Sequence, residues 1–99
     1  MALAYRIKAR AQREIERAAK WWAENRLASP GAVRKDVQDA LEILTEQPAI
    51  GTKVDTGRPL QVRRLLLDRT KYFLYYRVNG NHLEVLSVWH SSREHGPSV

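Results

Sequence analysis

The stretch LQVRRLLLDRTKYFLYYRVNGNHLEVLSVWH, residues 60–90, decides the fold. It holds three runs, residues 60–67, 72–78 and 82–90, each dense in Leu, Val, Tyr or Phe. Such residues fit a pleated, half-buried surface, so each run reads as a strand. Asn79-Gly80 between the last two is a strong hairpin signal, because a type I′ turn needs positive φ at both central positions. Residues 68–71 make a polar turn between the first two runs. The three strands therefore form an antiparallel meander. In the first, Leu60, Val62, Arg64 and Leu66 share one face, and Gln61, Arg63, Leu65 and Leu67 the other. In the last, Val85 and Trp89 fall on one face.

A meander with apolar faces needs a covering layer, and the first half of the chain supplies it. Tyr5 and Ile7 alternate with Arg6 and Lys8, which predicts a short strand. From Arg10 the period changes: Ala11, Ile15, Ala18, Ala19 and Trp22 recur at helical spacing to about residue 27. Trp21 and Trp22 point about 100° apart on such a helix, so one is expected in the core and the other semi-exposed. A second helix is predicted with Ser29 as its N-cap and Pro30 at its first position, where the missing N–H is tolerated. Its stripe is Val33, Val37, Ala40, Leu41 and Leu44, and Pro48 ends it. The short link makes the two helices an antiparallel hairpin. Residues 48–59 read as a loop rich in Pro, Gly and Thr.

The expected fold is α+β, order β-α-α-β-β-β, in one domain over residues 1–99. A small antiparallel sheet, the C-terminal three-strand meander plus the N-terminal strand, packs on an α-helical hairpin. The other sheet face is left partly open.

Composition narrows the function classes. Seventeen Lys+Arg against eleven Asp+Glu give a formal net charge of +6 on 99 residues. That charge attracts anionic partners: nucleic acid, an acidic protein segment or ribosomal RNA. The absence of cysteine excludes disulfides and thiolate metal sites. The three histidines, His82, His90 and His95, lack zinc-ligand spacing, so no metal and no cofactor is expected. No apolar run approaches the roughly 20 residues of a membrane span. Arg6 and Lys8 stand where a signal peptide needs an apolar segment. A cytoplasmic location with no membrane contact is expected.

Three features together resemble the RelE/ParE superfamily of toxins from type II toxin–antitoxin systems, and in particular its ParE-like branch. EQPAIGTKV resembles the family's Pro-x-x-Gly segment after the second helix. Arg63 or Arg64 on the first meander strand and Tyr76-Arg77-Val78 at the end of the next match its pattern. So does a last strand ending in Val88, His90 and Arg93, the pattern Val-x-His-x-x-Arg. The resemblance spans nearly the whole chain. It implies a growth-inhibiting toxin of the kind that stabilises plasmids, neutralised by direct binding of a cognate antitoxin. ParE-like members poison DNA gyrase, whereas RelE-like members cut messenger RNA on the ribosome. Operator DNA is reached only indirectly, through the antitoxin.

The residues weigh between these branches. Metal-independent RNA cleavage needs a base, cations for the developing phosphate charge and an acid for the leaving oxygen. His90, with an ordinary pKa of about 6.5, and Arg63, Arg64, Arg77 and Arg93 are the candidates for an endoribonuclease. His95 is a weaker one. The resemblance to RelE-like nucleases implies several Lys or Arg on the sheet and a Tyr or His near the C-terminal end. Here the tail SSREHGPSV after His90 carries no tyrosine, and the loop before the meander offers only Lys53 and Arg58. The catalytic set is incomplete, which favours a binding protein over an enzyme. On that reading Trp21, Trp22, Arg63, Arg77, His90 and Arg93 contact the target or the antitoxin, with DNA gyrase the expected target and ribosome-bound mRNA the alternative. A third class is a basic binding module without toxicity.

Overall fold

A computed structural model describes residues 2–99. Its sheet has five strands in the order β1-β5-β4-β3-β2. The chain runs β1 (Ala4–Ile7), α1 (Ala9–Asn25), α2 (Ala32–Glu46), a 3-10 turn (Pro48–Ile50), β2 (Thr52–Val54), β3 (Val62–Leu67), β4 (Tyr72–Asn79) and β5 (His82–His90). The α+β order read from the sequence holds, with both helices on one face of the sheet.

The sheet differs from expectation in two ways. It is mixed rather than wholly antiparallel, because β1 pairs with β5 in parallel, from Ala4↔His82 to Ile7↔Val85. Parallel neighbours need a long crossover, and here the helices and the first two meander strands supply it. A fifth strand, β2, also lies inside the segment read as loop. It pairs antiparallel with β3 over Thr52↔Arg64 to Val54↔Val62. Three residues without apolar alternation carry no strand signal. Tertiary bonds to the residues just before the strand position it instead. Arg63 donates to the carbonyls of Ala49 and Gly51, the Gly51 amide donates to the Tyr76 hydroxyl, and that hydroxyl donates to the Pro48 carbonyl.

Local punctuation shifts too. α2 begins after Gly31 rather than Ser29, with no side-chain cap; Ser29 instead accepts the Ala32 amide through its carbonyl at 3.1 Å. β3 starts at Val62 rather than Leu60. The β4–β5 hairpin pairs Asn79 with His82 around the two residues Gly80 and Asn81. Only Gly80 has positive φ there, at 62°. That matches a type II′ turn, which places glycine at the first central position, rather than a type I′ turn on Asn79-Gly80.

The main core lies between helices and sheet: Ala11, Ile15, Val37, Leu41 and Leu44 against Leu67, Leu74, Tyr76, Leu83, Val85 and Val88. A smaller cluster of Val62, Tyr75 and Leu86 sits on the opposite face, with Val54, Phe73, Trp89 and Val99 packed on it. Neither tryptophan of α1 enters a core cluster. Trp21 is 46% exposed and Trp22 is half-buried, so the expectation that one of them is core fails. α1 extends past the end of the buried sheet surface, and its last buried residue is Ala18.

One irregularity organises β5. The register with β4 pairs Tyr75 with Ser87 but Tyr76 with Val85, leaving Leu86 as an extra residue. This β-bulge re-aims the strand beyond it. Val85 and Val88 both pack on the helix side, whereas Leu86 and Trp89 pack on the other. Val85 and Trp89 therefore do not share a face, contrary to the simple alternation. Glu14 of α1 braces the bulge: its Oε1 accepts the Ser87 hydroxyl at 2.8 Å and the Val88 amide at 3.2 Å.

Candidate functional site

The bulge decides what meets at the open end of the β4–β5 hairpin. A regular ladder counted back from the turn would place Trp89 opposite Tyr72. With one residue inserted, His90 stands there instead, and its ring meets Tyr72 edge to face with centroids 4.9 Å apart. The C-terminal turns of α1 bring Trp21 and Trp22 alongside, their rings edge to face at 6.2 Å. Arg26 closes the helix by donating its amide to the Trp22 carbonyl. Its guanidinium lies over both rings, 5.1 Å from Trp21 and 5.7 Å from Trp22. With the β3–β4 turn residues Arg69, Thr70 and Lys71, these side chains line a groove of about 580 Å³. A smaller hollow of about 250 Å³ adjoins it across Trp21, Tyr72 and His90, with Arg17, Trp89 and Arg93 on its walls.

The floor of the groove is held firmly. Asp36 of α2 accepts from Arg69 at 2.6 Å and from the Thr70 hydroxyl at 2.9 Å, which ties the β3–β4 turn to the helix. Lys71, in the left-handed region at φ 66°, reaches Asp68. Burial pushes the Tyr72 hydroxyl above the usual phenol range, against the opposing pull of Arg93.

His90 ends β5 in a turn. The Ser92 amide donates to its Nδ1 at 3.1 Å, and the Ser92 hydroxyl lies 2.7 Å from the same atom. An Nδ1 that accepts from a backbone N–H carries no proton, so the neutral ring holds its proton on Nε2. The Arg93 amide donates to the His90 carbonyl at 3.2 Å. The arginine's own guanidinium stacks 4.0 Å from the Trp89 ring centroid. Trp89 donates from its indole to the His95 carbonyl at 2.7 Å, and Arg10 donates to the Ser98 carbonyl at 2.6 Å. The last residues thus fold back over the sheet face away from the helices, where Val99 joins the smaller cluster.

The remaining arginines singled out in the sequence do not join His90. Arg63 points to the helix side, where it donates to the carbonyls of Ala49 at 3.1 Å and Gly51 at 2.9 Å. Arg64 lies over Phe73 at 4.1 Å and donates to the Tyr75 hydroxyl. Arg77 donates to Glu84 at 2.8 Å, and Lys8 stands 3.9 Å from the same carboxylate. The Arg77 hydrogen bond holds the Glu84 carboxyl below its ordinary range. Arg77 sits five residues along β4 from Tyr72, roughly 17 Å at strand rise. The fold gathers Trp21, Trp22, His90 and Arg93 at one end and disperses Arg63, Arg64 and Arg77 along the sheet. Among the described residues no group of three or more His, Cys, Asp or Glu side chains could hold a metal ion, and no helix is long and apolar enough to cross a membrane.

Arg17, Arg26 and Tyr72 belong to this end of the molecule and were not singled out as site residues from the sequence. Arg17 and Arg26 carry no local signal. Tyr72 was legible as a strand residue, but its partner could be found only by knowing the bulge.

A family model described as the ParE toxin of type II toxin–antitoxin system, parDE, matches residues 5–95. No curated protein matches the chain significantly. Among solved structures, a chain of the chromosomal ParDE TA system from P. aeruginosa superposes with a TM-score of 0.67. The identity is 18%, and the match covers 90% of this chain and 96% of that one, a likeness of fold.

Proposed function

The chain belongs to the ParE toxin family of type II toxin–antitoxin systems, and from that premise we propose that it arrests growth by poisoning DNA gyrase and is neutralised by direct binding of a cognate antitoxin. The observation that carries this reading is the family match over residues 5–95. Fold alone would not choose a target, because one scaffold hosts several activities. The placement of the arginines adds support. Of the four arginines the nuclease alternative calls on, only Arg93 lies beside His90, while Arg63, Arg64 and Arg77 are engaged along the sheet.

The antitoxin has a fitting surface. β1 is an edge strand, next only to β5 in the sheet. Beside it Tyr5, Ile7, Ile15, Val37 and Leu41 line a groove of about 230 Å³ against the helical hairpin. An extended segment can add to such an edge while an amphipathic helix fills the groove. The net charge of +6 favours an acidic partner.

The test is induction of the chain in growing cells with DNA and protein synthesis followed separately. DNA synthesis should fail first, with DNA-damage signalling and filamentation, and purified protein should inhibit supercoiling by gyrase. Immediate arrest of protein synthesis, with gyrase unaffected, would sink the gyrase reading. Co-expression with the adjacent small open reading frame should yield a complex; recovery of the tagged chain alone would sink the antitoxin reading.

A further inference from the structure

We propose that the groove of Trp21, Trp22, Arg26, Tyr72 and His90 is a docking site for an acidic protein segment that inserts one aromatic or aliphatic side chain. It lies apart from the β1 edge, which is lined by Tyr5, Ile7 and Val37. The inference stands on the groove itself and holds whichever process the toxin blocks.

Three observations carry it. The first is exposed aromatic surface. Trp21 is large, apolar and 46% exposed at the end of a rigid helix, beside half-buried Trp22 and Tyr72. Aromatic surface held in place, with little rotamer entropy left to lose, is the usual make-up of an interface hot spot. The second is size: about 580 Å³ holds a large side chain and its neighbours. The third is charge. Arg26 on the groove, and Arg17 and Arg93 on the adjoining hollow, make no ion pair among the described residues. No carboxylate lines the groove, and Glu14 on the wall of the hollow is already engaged by Ser87, Val88 and Arg10. Arg69 and Lys71 on the groove wall are already matched by Asp36 at 2.6 Å and Asp68 at 3.1 Å. The free cations are therefore few and sit around an apolar centre, an arrangement suited to two or three carboxylates flanking an anchor residue.

A nucleic acid fits less well. Stacking a base needs an open ring face, and Arg26 already covers a face of both tryptophans. The two rings also meet at 67° rather than forming a parallel platform. Backbone phosphates would call for a continuous row of unpaired cations, which the Asp36 and Asp68 pairings interrupt.

The experiment is calorimetric titration of the full chain with three probes at low ionic strength: a random copolymer of glutamate and tyrosine, polyglutamate, and oligothymidylate. The glutamate–tyrosine copolymer should bind tightest, with affinity that falls as salt rises. Trp21→Ala and Arg26→Gln should each weaken it by about tenfold, the scale of a hot-spot truncation, with the urea midpoint unchanged because both side chains are exposed. The proposal is overturned if the copolymer does not bind, if polyglutamate binds as tightly, or if oligothymidylate binds tighter. It is equally overturned if both variants titrate like the unmodified chain. None of these readouts depends on growth arrest, so failure here and failure of the toxin reading are separable.

Discussion

The Tyr76 hydroxyl accepts the Gly51 amide proton at 2.9 Å. The same hydroxyl donates to the Pro48 carbonyl at 2.7 Å, and burial raises its pKa above the usual phenol range. A Cβ on residue 51 would overlap the Tyr76 ring. The Pro-x-x-Gly segment and the Tyr-Arg-Val strand end, separate features in the sequence, are thus two halves of one clamp. Arg63 completes it from β3. The clamp turns a loop into an edge strand.

Removing the hydroxyl tests that clamp. Tyr76→Phe leaves the buried Gly51 N–H without its acceptor, and should cost about 1–3 kcal/mol in urea unfolding. Gly51→Ala should cost a similar amount, about 1–3 kcal/mol, by overpacking. If both variants unfold at the midpoint of the unmodified chain, the clamp does not hold β2.

Arg77 and Glu84 predict a pH dependence. The Glu84 carboxyl is held low in the folded chain, chiefly by the Arg77 hydrogen bond. A depressed carboxyl pKa contributes stability above its unfolded value, about 4.3, and that stability is lost as pH falls through the folded value. Acid unfolding of the unmodified chain should therefore steepen below about pH 4.3. Arg77→Gln should flatten that limb and lower stability at neutral pH by about 2 kcal/mol, the scale of a hydrogen bond to a charged group. Parallel acid titrations of the two proteins, followed by circular dichroism, decide it.

Glu14 and the bulge make a third case. Glu14→Ala removes the acceptor of both the Ser87 hydroxyl and the Val88 amide, with an expected loss of about 1–3 kcal/mol. Hydrogen exchange at Val88 should be faster in the variant than in the unmodified chain, while Leu83, in the same core but on the far side of the bulge, keeps its protection. Equal protection at Val88 in both proteins would mean that Glu14 does not brace the bulge.

His90 separates binding from catalysis. Removing a general acid or base lowers a rate by about 10²–10⁴-fold. His90→Gln should reduce growth arrest by less than about tenfold, because on the proposed reading the imidazole positions the turn at Ser92 and moves no proton. A loss of arrest in the catalytic range, with fold and antitoxin binding intact, would revive the ribonuclease alternative.

Much of the architecture could be read from the chain itself. Periodicity placed both helices, the meander and the short first strand, because the apolar period reports directly which face of an element is buried. Membership of the toxin family was legible in the spacing of Pro48, Gly51, Arg77, His90 and Arg93, and the family match over residues 5–95 supports it. Tertiary structure alone decided four things: the parallel pairing of β1, the strand at Thr52–Val54, the placement of both α1 tryptophans outside the core clusters, and the bulge at Leu86. None of these is a property of local sequence. Each depends on where a distant partner lies: β5 for β1, Arg63 and Tyr76 for β2, the limit of the sheet for Trp21 and Trp22, and Glu14 for the bulge. A one-residue slip in a strand exchanges its faces, and that slip brings His90 rather than Trp89 opposite Tyr72.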